Sequence, residues 1–491
     1  MLAGFDDGKI RLFNVTNAAQ LTETTVGERQ SVLGLAMAPK EDGLVAVTPG
    51  SFFFGKLDPR YPEASFAAIF RPVWYEGYPR PEHTWQSSSG TDDFEMKLGL
   101  MPLIFGTIKA TVYSMLFGVP LAILAAIFTS EFLQPRMRAV LKPSIEFMAS
   151  LPSVVLGFLA ALVFAPFIEA VVPATLATFF VTPLVFLLGA HLWQLLPTER
   201  AVRLDRHRFF FILMVAPFGL LGGALLGRPF ERLLFGGDLK AWLSWDGSSG
   251  SAFADASGGW MLLLVPVSAL VVAVLGTRLV NPIMRQRSAV WDRRQFGLAD
   301  LAKFAVMVLL SLGLAWVLAA LLSSLGFDPR GGFVDTYVQR NALIVGFVMG
   351  FAVIPIIYTI SEDALSAVPE HLRSASLGAG ATPWQTAIRI VLPTAMSGLF
   401  SAMMIGLGRA VGETMIVLMA AGNTPVMEWN IFNGFRTLSA NIAVELPEAV
   451  RNSTHYRTLF LAALSLFVMT FIVNTIAEII RLRFRKRAYQ L

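Results

Sequence analysis

Residues 362–423 read EDALSAVPEHLRSASLGAGATPWQTAIRIVLPTAMSGLFSAMMIGLGRAVGETMIVLMAAGN. A polar, proline-bounded loop leads into an apolar segment that carries Arg409 and Glu413 four residues apart. Such a loop offers a docking surface to a soluble partner, and it stands beside charges that hydrocarbon should exclude. The pairing points to a device that moves a polar solute across a membrane with work done elsewhere.

The rest of the chain supports a membrane setting. Of its 491 residues, 55% are hydrophobic and only 15% charged, against about a quarter charged in an ordinary globular chain. Nine apolar segments fall near 101–130, 145–168, 174–196, 209–227, 260–281, 304–325, 341–361, 396–422 and 457–480. Most reach the roughly 17–25 residues that cross a bilayer core. The expected fold is therefore an all-α polytopic membrane protein. The net charge of +5 does not mark a nucleic-acid binder, because the basic residues sit between apolar runs. Arg136-Arg138-Lys142, Arg200 to Arg208, Arg285 to Arg294, loop 362–395 and Arg481 to Arg487 occupy every second gap. Positive-inside topology then puts the C-terminus in the cytoplasm and residues 1–98 outside, with membrane lipid around the spans. The absence of cysteine excludes disulfides, iron–sulfur clusters and thiolate zinc sites.

Residues 1–98 form a separate extracytoplasmic, β-rich segment in this reading. GFDDGKIRLFNV and GLVAVTPGSFFFGKLD alternate like short strands around Asp7-Gly8 and Pro49-Gly50 turns. They resemble one or two propeller blades, too few to close a ring of about four to eight, so they are expected to end a larger domain. The opening MLAGFDDGKIRLF has no signal-peptide pattern. An outer location thus implies a preceding helix and a truncated or alternatively started chain. Trp74, Tyr75, Tyr78 and Trp85 mark an interfacial linker, and 247–259 a flexible outer loop.

Gly380, nine further residues, then Ile390-Val391-Leu392-Pro393 resemble the end of the EAA loop of ABC-importer permeases. A short helix near Pro369–Leu377, a Gly-Ala-Gly turn and a second helix from Pro383 would project as a hairpin. The resemblance implies that loop 362–395 couples this chain to a cytoplasmic ATPase, with Gly380, Ile390, Leu392 and Pro393 as landmarks. The signature glutamate aligns with Ser374 and its first alanine with Ala375, leaving Glu370 and Arg373 as charged alternatives.

Arg409 lies midway along segment 396–422, where an unpaired charge costs roughly 2.5–3.5 kcal/mol. On one helix spanning that segment, Arg409 and Glu413 share a face and partly neutralise each other. Arg409 offers a planar fork to an oxyanion, with Glu413 holding it in place. The alternative is a structural buried pair. GRAVGETMIVLMAAGN (408–423) resembles the signature of the PstC-type permease of phosphate ABC importers. Residues 102–132, 144–158, 362–369 and 432–449 are similar to that family as well. The resemblance divides the chain into a permease core at 99–168 and 341–487 and an insertion at 169–340 holding four extra segments. It implies a homologous PstA-type permease, a cytoplasmic ATPase dimer carrying ATP and Mg, and a periplasmic phosphate-binding protein as partners. It also implies a bacterial inner-membrane location. The chain has no G-x-x-x-x-G-K-[ST] loop, so it is not that ATPase; no cofactor, catalytic residue or metal ligand is expected on it, and no nucleic acid.

Pathway candidates are Arg409, Glu413, Thr414, Lys109 and Thr107. Lys109 stands about nine residues into the first span, close enough to an end for its stem to snorkel outward. Glu146 and Ser150–Ser153 open the second span, as a simple helix start or as a broken helix near a gate. His191 reads as a packing residue. Other readings of the chain are an importer of molybdate or sulfate, an ion-driven secondary transporter, and a membrane sensor.

Overall fold

A computed structural model describes all residues except 17–18, 27–29, 40–41, 59–60, 89–94, 206, 245–254, 288–290, 331, 333 and 489–491. The expected outer loop at 247–259 thus lies largely outside the described residues, as do the side chains of the basic run 483–487. In chain order the strands are β1 (Leu2–Gly4), β2 (Lys9–Asn14), β3 (Ala19–Thr25), β4 (Gly34–Met37), β5 (Gly43–Thr48), β6 (Ser51–Lys56), β7 (Trp85–Gln86) and β8 (Lys97–Leu98). The helices begin with α1 (Phe66–Phe70), α2 (Met101–Glu131), α3 (Pro135–Ala149), α4 (Ser153–Leu159), α5 (Ala165–Ala170), α6 (Val172–Gln194) and α7 (Thr198–Asp205). Next come α8 (Arg208–Phe235), α9 (Leu239–Leu243), α10 (Ser257–Leu275), α11 (Asn281–Arg287) and α12 (Arg293–Ser324). The last are α13 (Ala342–Ser366), α14 (Glu370–Gly378), α15 (Pro383–Thr386), α16 (Leu392–Gly412), α17 (Met415–Ala420), α18 (Leu438–Glu445) and α19 (Thr454–Ala488). Among the described residues, nine helical stretches are long and apolar enough to cross a membrane.

The chain divides into two compact units. The first comprises 1–160, 342–427 and 434–491; the second comprises 161–341 with 428–433.

In the first unit, β1–β2–β3 and β4–β5–β6 form two antiparallel three-stranded sheets. Alternation in β2 turns Ile10 and Leu12 inward, and alternation in β5 does the same for Leu44 and Ala46. With Val26 and Leu57 they form one small core. Gly8, at φ 77°, makes the turn into β2, and Pro49-Gly50 joins β5 to β6. Trp85 and Tyr75 are buried instead of lying at an interface, while Trp74 is exposed. Trp85 joins Leu98, Leu100, Leu103, Leu438 and Leu459 in a core that ties the linker to the helices.

The helical part of this unit is built on α2 against α13. Gly118 and Gly350 let their backbones approach closely, since a Cβ on Gly118 would stand 3.1 Å from the Gly350 carbonyl oxygen. Small residues supply such contacts where lipid removes the hydrophobic drive between helices. The second span does not start at 145. Pro152 disfavours helix at Leu151, so α3 stops at Ala149 and α4 begins at Ser153, with Glu146 on the separate helix α3.

In the second unit, α6 packs along α8 and α10 along α12. The fourth span is longer than its apolar core, because α8 continues past Gly227 to a Gly236 cap at φ 66°.

Candidate functional site

The segment around Arg409 breaks where sequence periodicity reads straight through. α16 ends at Gly412, and Glu413 takes an extended conformation with φ −66° and ψ 125°. Its carboxylate accepts the Met415 N–H at 3.2 Å at the start of α17, and its carbonyl accepts the Ser439 hydroxyl at 3.0 Å. The backbone thus leaves the helix because side chains satisfy its freed groups. The shared i, i+4 face of Arg409 and Glu413 therefore does not exist. Arg409 sits in the last turn of α16, and its buried Nε has no hydrogen-bond partner among the described residues. Thr414 directs its hydroxyl to the Gly412 carbonyl at 3.2 Å. The helix thus breaks beside a guanidinium whose Nε is buried without a hydrogen-bond partner among the described residues.

Lys109 does not snorkel: it is 0% exposed, with Nζ 5.6 Å from the centre of the Phe435 ring. Thr107 is buried too. Its hydroxyl donates to the Leu103 carbonyl at 2.8 Å and accepts the Leu438 N–H at 3.1 Å, fastening α2 to the start of α18.

Beside them lies an acidic node that sequence reading misses. The Glu445 carboxylate accepts from Trp85 Nε1 at 3.1 Å and Ser87 Oγ at 2.8 Å, and pairs with Arg436 Nη2 at 2.9 Å. His455 Nε2 stands 2.7 Å from its other oxygen. Burial pushes this carboxyl up. The hydrogen bonds from His455, Trp85 and Ser87 and the Arg436 charge outweigh it and hold the group below its ordinary range. A lowered carboxyl contributes stability above the ordinary carboxylate range and loses it as pH falls through the lowered value. The thermal unfolding midpoint should therefore drop in acid. Glu445→Gln should cost about 3 kcal/mol and remove part of that acid dependence; an unchanged acid limb would exclude the node as its source.

The predicted hairpin forms. α14 runs Glu370–Gly378, Gly380 turns the chain at φ +88°, and Thr382 and Gln385 make a capping box around Pro383 at the next helix start. Ile390 and Leu392 continue, through a π-helical stretch at Ala387–Val391, into α16, with Pro393 in its first turn. Glu370, Ser374 and Ala375 are exposed, and Leu377 (47%) and Trp384 (57%) present apolar surface near the tip. Arg373 points the other way. Its Nη2 meets Glu131 at 2.9 Å and the Leu365 carbonyl at 2.7 Å, so it ties the hairpin to the end of α2.

A second tether joins α3 to the end of α13. Glu362 is 0% exposed and pairs with Arg138 and, at 2.8 Å, with Lys142; Lys142 also meets Asp363 at 2.6 Å. Read as the loop's first residue, Glu362 is instead a buried anchor. Its partners lie more than two hundred residues away, so no local pattern reveals it.

Residues 288–487 match the family model described as binding-protein-dependent transport system inner membrane component. The particular likeness is to phosphate permeases. The chain is 34% identical over 158 residues (32% of this chain, 48% of the relative) to the phosphate transport system permease protein PstC of Mesorhizobium japonicum. It is 36% identical over 148 residues (30% and 45%) to PstC of Xylella fastidiosa strain 9a5c. With the phosphate transport system permease protein PstA 1 of Mycobacterium tuberculosis it shares 30% over 145 residues (29% and 47%). The chain thus spans about half the length of the curated relatives it matches. No solved structure matches.

Proposed function

We propose that this chain is a permease subunit, not itself an enzyme, of an ATP-driven importer that carries inorganic phosphate across the bacterial cytoplasmic membrane. The observation that carries the reading is the hairpin: an exposed apolar tip at Leu377 and Trp384, anchored inward by Arg373 on Glu131. A tip of this kind receives a partner's motion, and the anchor passes it to α2. The guanidinium of Arg409 then offers phosphate a permanently charged donor at the helix break. The names of the relatives favour phosphate over other oxyanions and favour a PstA-type second permease; the description of the matching family model favours a separate binding protein, and the hairpin is the surface offered to a separate ATPase pair.

Deleting 370–385, or introducing Leu377→Asp with Trp384→Asp, should release the ATPase from membranes that retain this chain. ATPase that copurifies at full yield with the point variant would exclude the docking surface. Separately, Arg373→Ala should leave the ATPase bound while uptake per ATP falls by about tenfold, the loss expected from one buried charge pair worth over 1.4 kcal/mol. The paired swap Arg373→Glu with Glu131→Arg should recover part of it.

A further inference from the structure

Helix α3 is amphipathic in the opposite sense to a helix that faces water. By helical spacing Arg136, Ala139, Val140, Pro143 and Phe147 share its exposed face, edged by Ser144 and Glu146. The centre of that face is apolar: Val140 is 63% exposed and Phe147 72%. Ser144 does not offer its hydroxyl outward, because it donates to the Val140 carbonyl at 2.8 Å. The opposite, half-buried face turns two cations toward the protein. Arg138 meets Glu362 and Ser366, and Lys142 meets Glu362 at 2.8 Å and Asp363 at 2.6 Å. A surface helix in water does the reverse, with its apolar stripe inward and its charges out.

The position of α3 in the chain decides what lies against its outer face. α2 ends at Glu131 and α4 starts at Ser153, and both belong to stretches long and apolar enough to cross a membrane. Only residues 132–134 and 150–152 separate α3 from these two span ends. With 15 residues, α3 is about 22 Å long. Tied at both ends to spans that leave and re-enter on one side, it runs along the bilayer surface. That side is the hairpin's, because Glu131 meets Arg373 at 2.9 Å. The adjoining spans also expose apolar side chains near these ends, Leu124 on α2 and Val155 and Phe158 on α4.

We propose that α3 is an interfacial helix whose Val140, Pro143 and Phe147 enter the boundary between headgroups and acyl chains, in the leaflet on the hairpin's side. The occupant of its outer face is therefore a phospholipid surface. Arg136, in the first turn of that face, extends its stem to the headgroup phosphates. Arg138 and Lys142 hold the charged face to the end of α13. This holds whatever solute the chain carries. The chain has no cysteine, so single spin labels can be placed at Val140→Cys and Phe147→Cys, with Ser374→Cys on the hairpin as the water-exposed reference. The full chain is held in nanodiscs of phosphatidylethanolamine and phosphatidylglycerol. Dissolved oxygen should relax the labels at 140 and 147 more than a water-soluble nickel chelate does, and the order should reverse at 374. Adding the ATPase should leave the labels at 140 and 147 unchanged. Labels there that follow the nickel chelate overturn the interfacial placement, whether or not the ATPase then shields them. So do labels that neither reagent reaches, the mark of a protein cover. A phospholipid with a photoreactive group near the glycerol end of its acyl chain tests the unmodified chain in the same nanodiscs. Adducts should form on residues 135–149; adducts on α2 and α4 with none on α3 overturn the placement without any substitution.

Discussion

Arg409→Ala is expected to lower phosphate uptake by about 100-fold or more, the scale on which a lost oxyanion donor acts, while the ATPase stays bound. The reasoning is geometric. The end of α16 leaves the Nε of Arg409 buried and without a hydrogen-bond partner among the described residues. Such a donor is costly unless a ligand completes it. Arg409→Lys should retain part of the activity, because it keeps the charge and loses the planar fork. Glu413→Gln should have a smaller effect, since an amide oxygen still accepts the Met415 N–H. If Arg409→Ala transports normally, the arginine is structural and the cargo passes elsewhere.

Gly106→Val should destabilise the first unit by about 3 kcal/mol or more, the upper range for overpacked sites. A Cβ at 106 would stand 2.0 Å from the Arg436 carbonyl oxygen, a backbone atom that no rotamer change can move. The same stretch is fixed from both sides, by Thr107 on the Leu438 N–H and by Arg436 on Glu445. The expected result is loss of monodisperse protein and of the cooperative thermal transition. Gly313→Ala is the control: nothing lies within 4 Å of its Cβ, and alanine favours helix. A Gly106→Val chain that unfolds like the unmodified one would mean that α2 and the 434–449 segment do not pack in this way.

The sequence revealed what depends on local chemistry. Apolar run length gives the spans, and the glycine–proline punctuation from Gly378 to Pro383 gives the hairpin. It failed where a distant partner decides the outcome. Arg373 lies on an exposed helix in sequence terms, yet Glu131 draws it inward. Lys109 has a stem long enough to reach an end of its span, but Phe435 holds it inside. The break at Glu413 is hidden because LGRAVGETMIVLM is apolar enough to continue as helix; Ser439 and the Met415 cap decide otherwise. His191 was legible only as a lone histidine, because Asp300, 3.3 Å from its Nε2, lies over one hundred residues further along.

The central claim is ATP-driven phosphate import through this permease. Uptake of radiolabelled phosphate into proteoliposomes that hold this chain with its permease partner, ATPase and binding protein tests it most directly. Uptake should require ATP inside and phosphate-loaded binding protein outside, and excess sulfate or molybdate should not suppress it. Uptake that persists without ATP, or that follows an imposed ion gradient, would contradict the account.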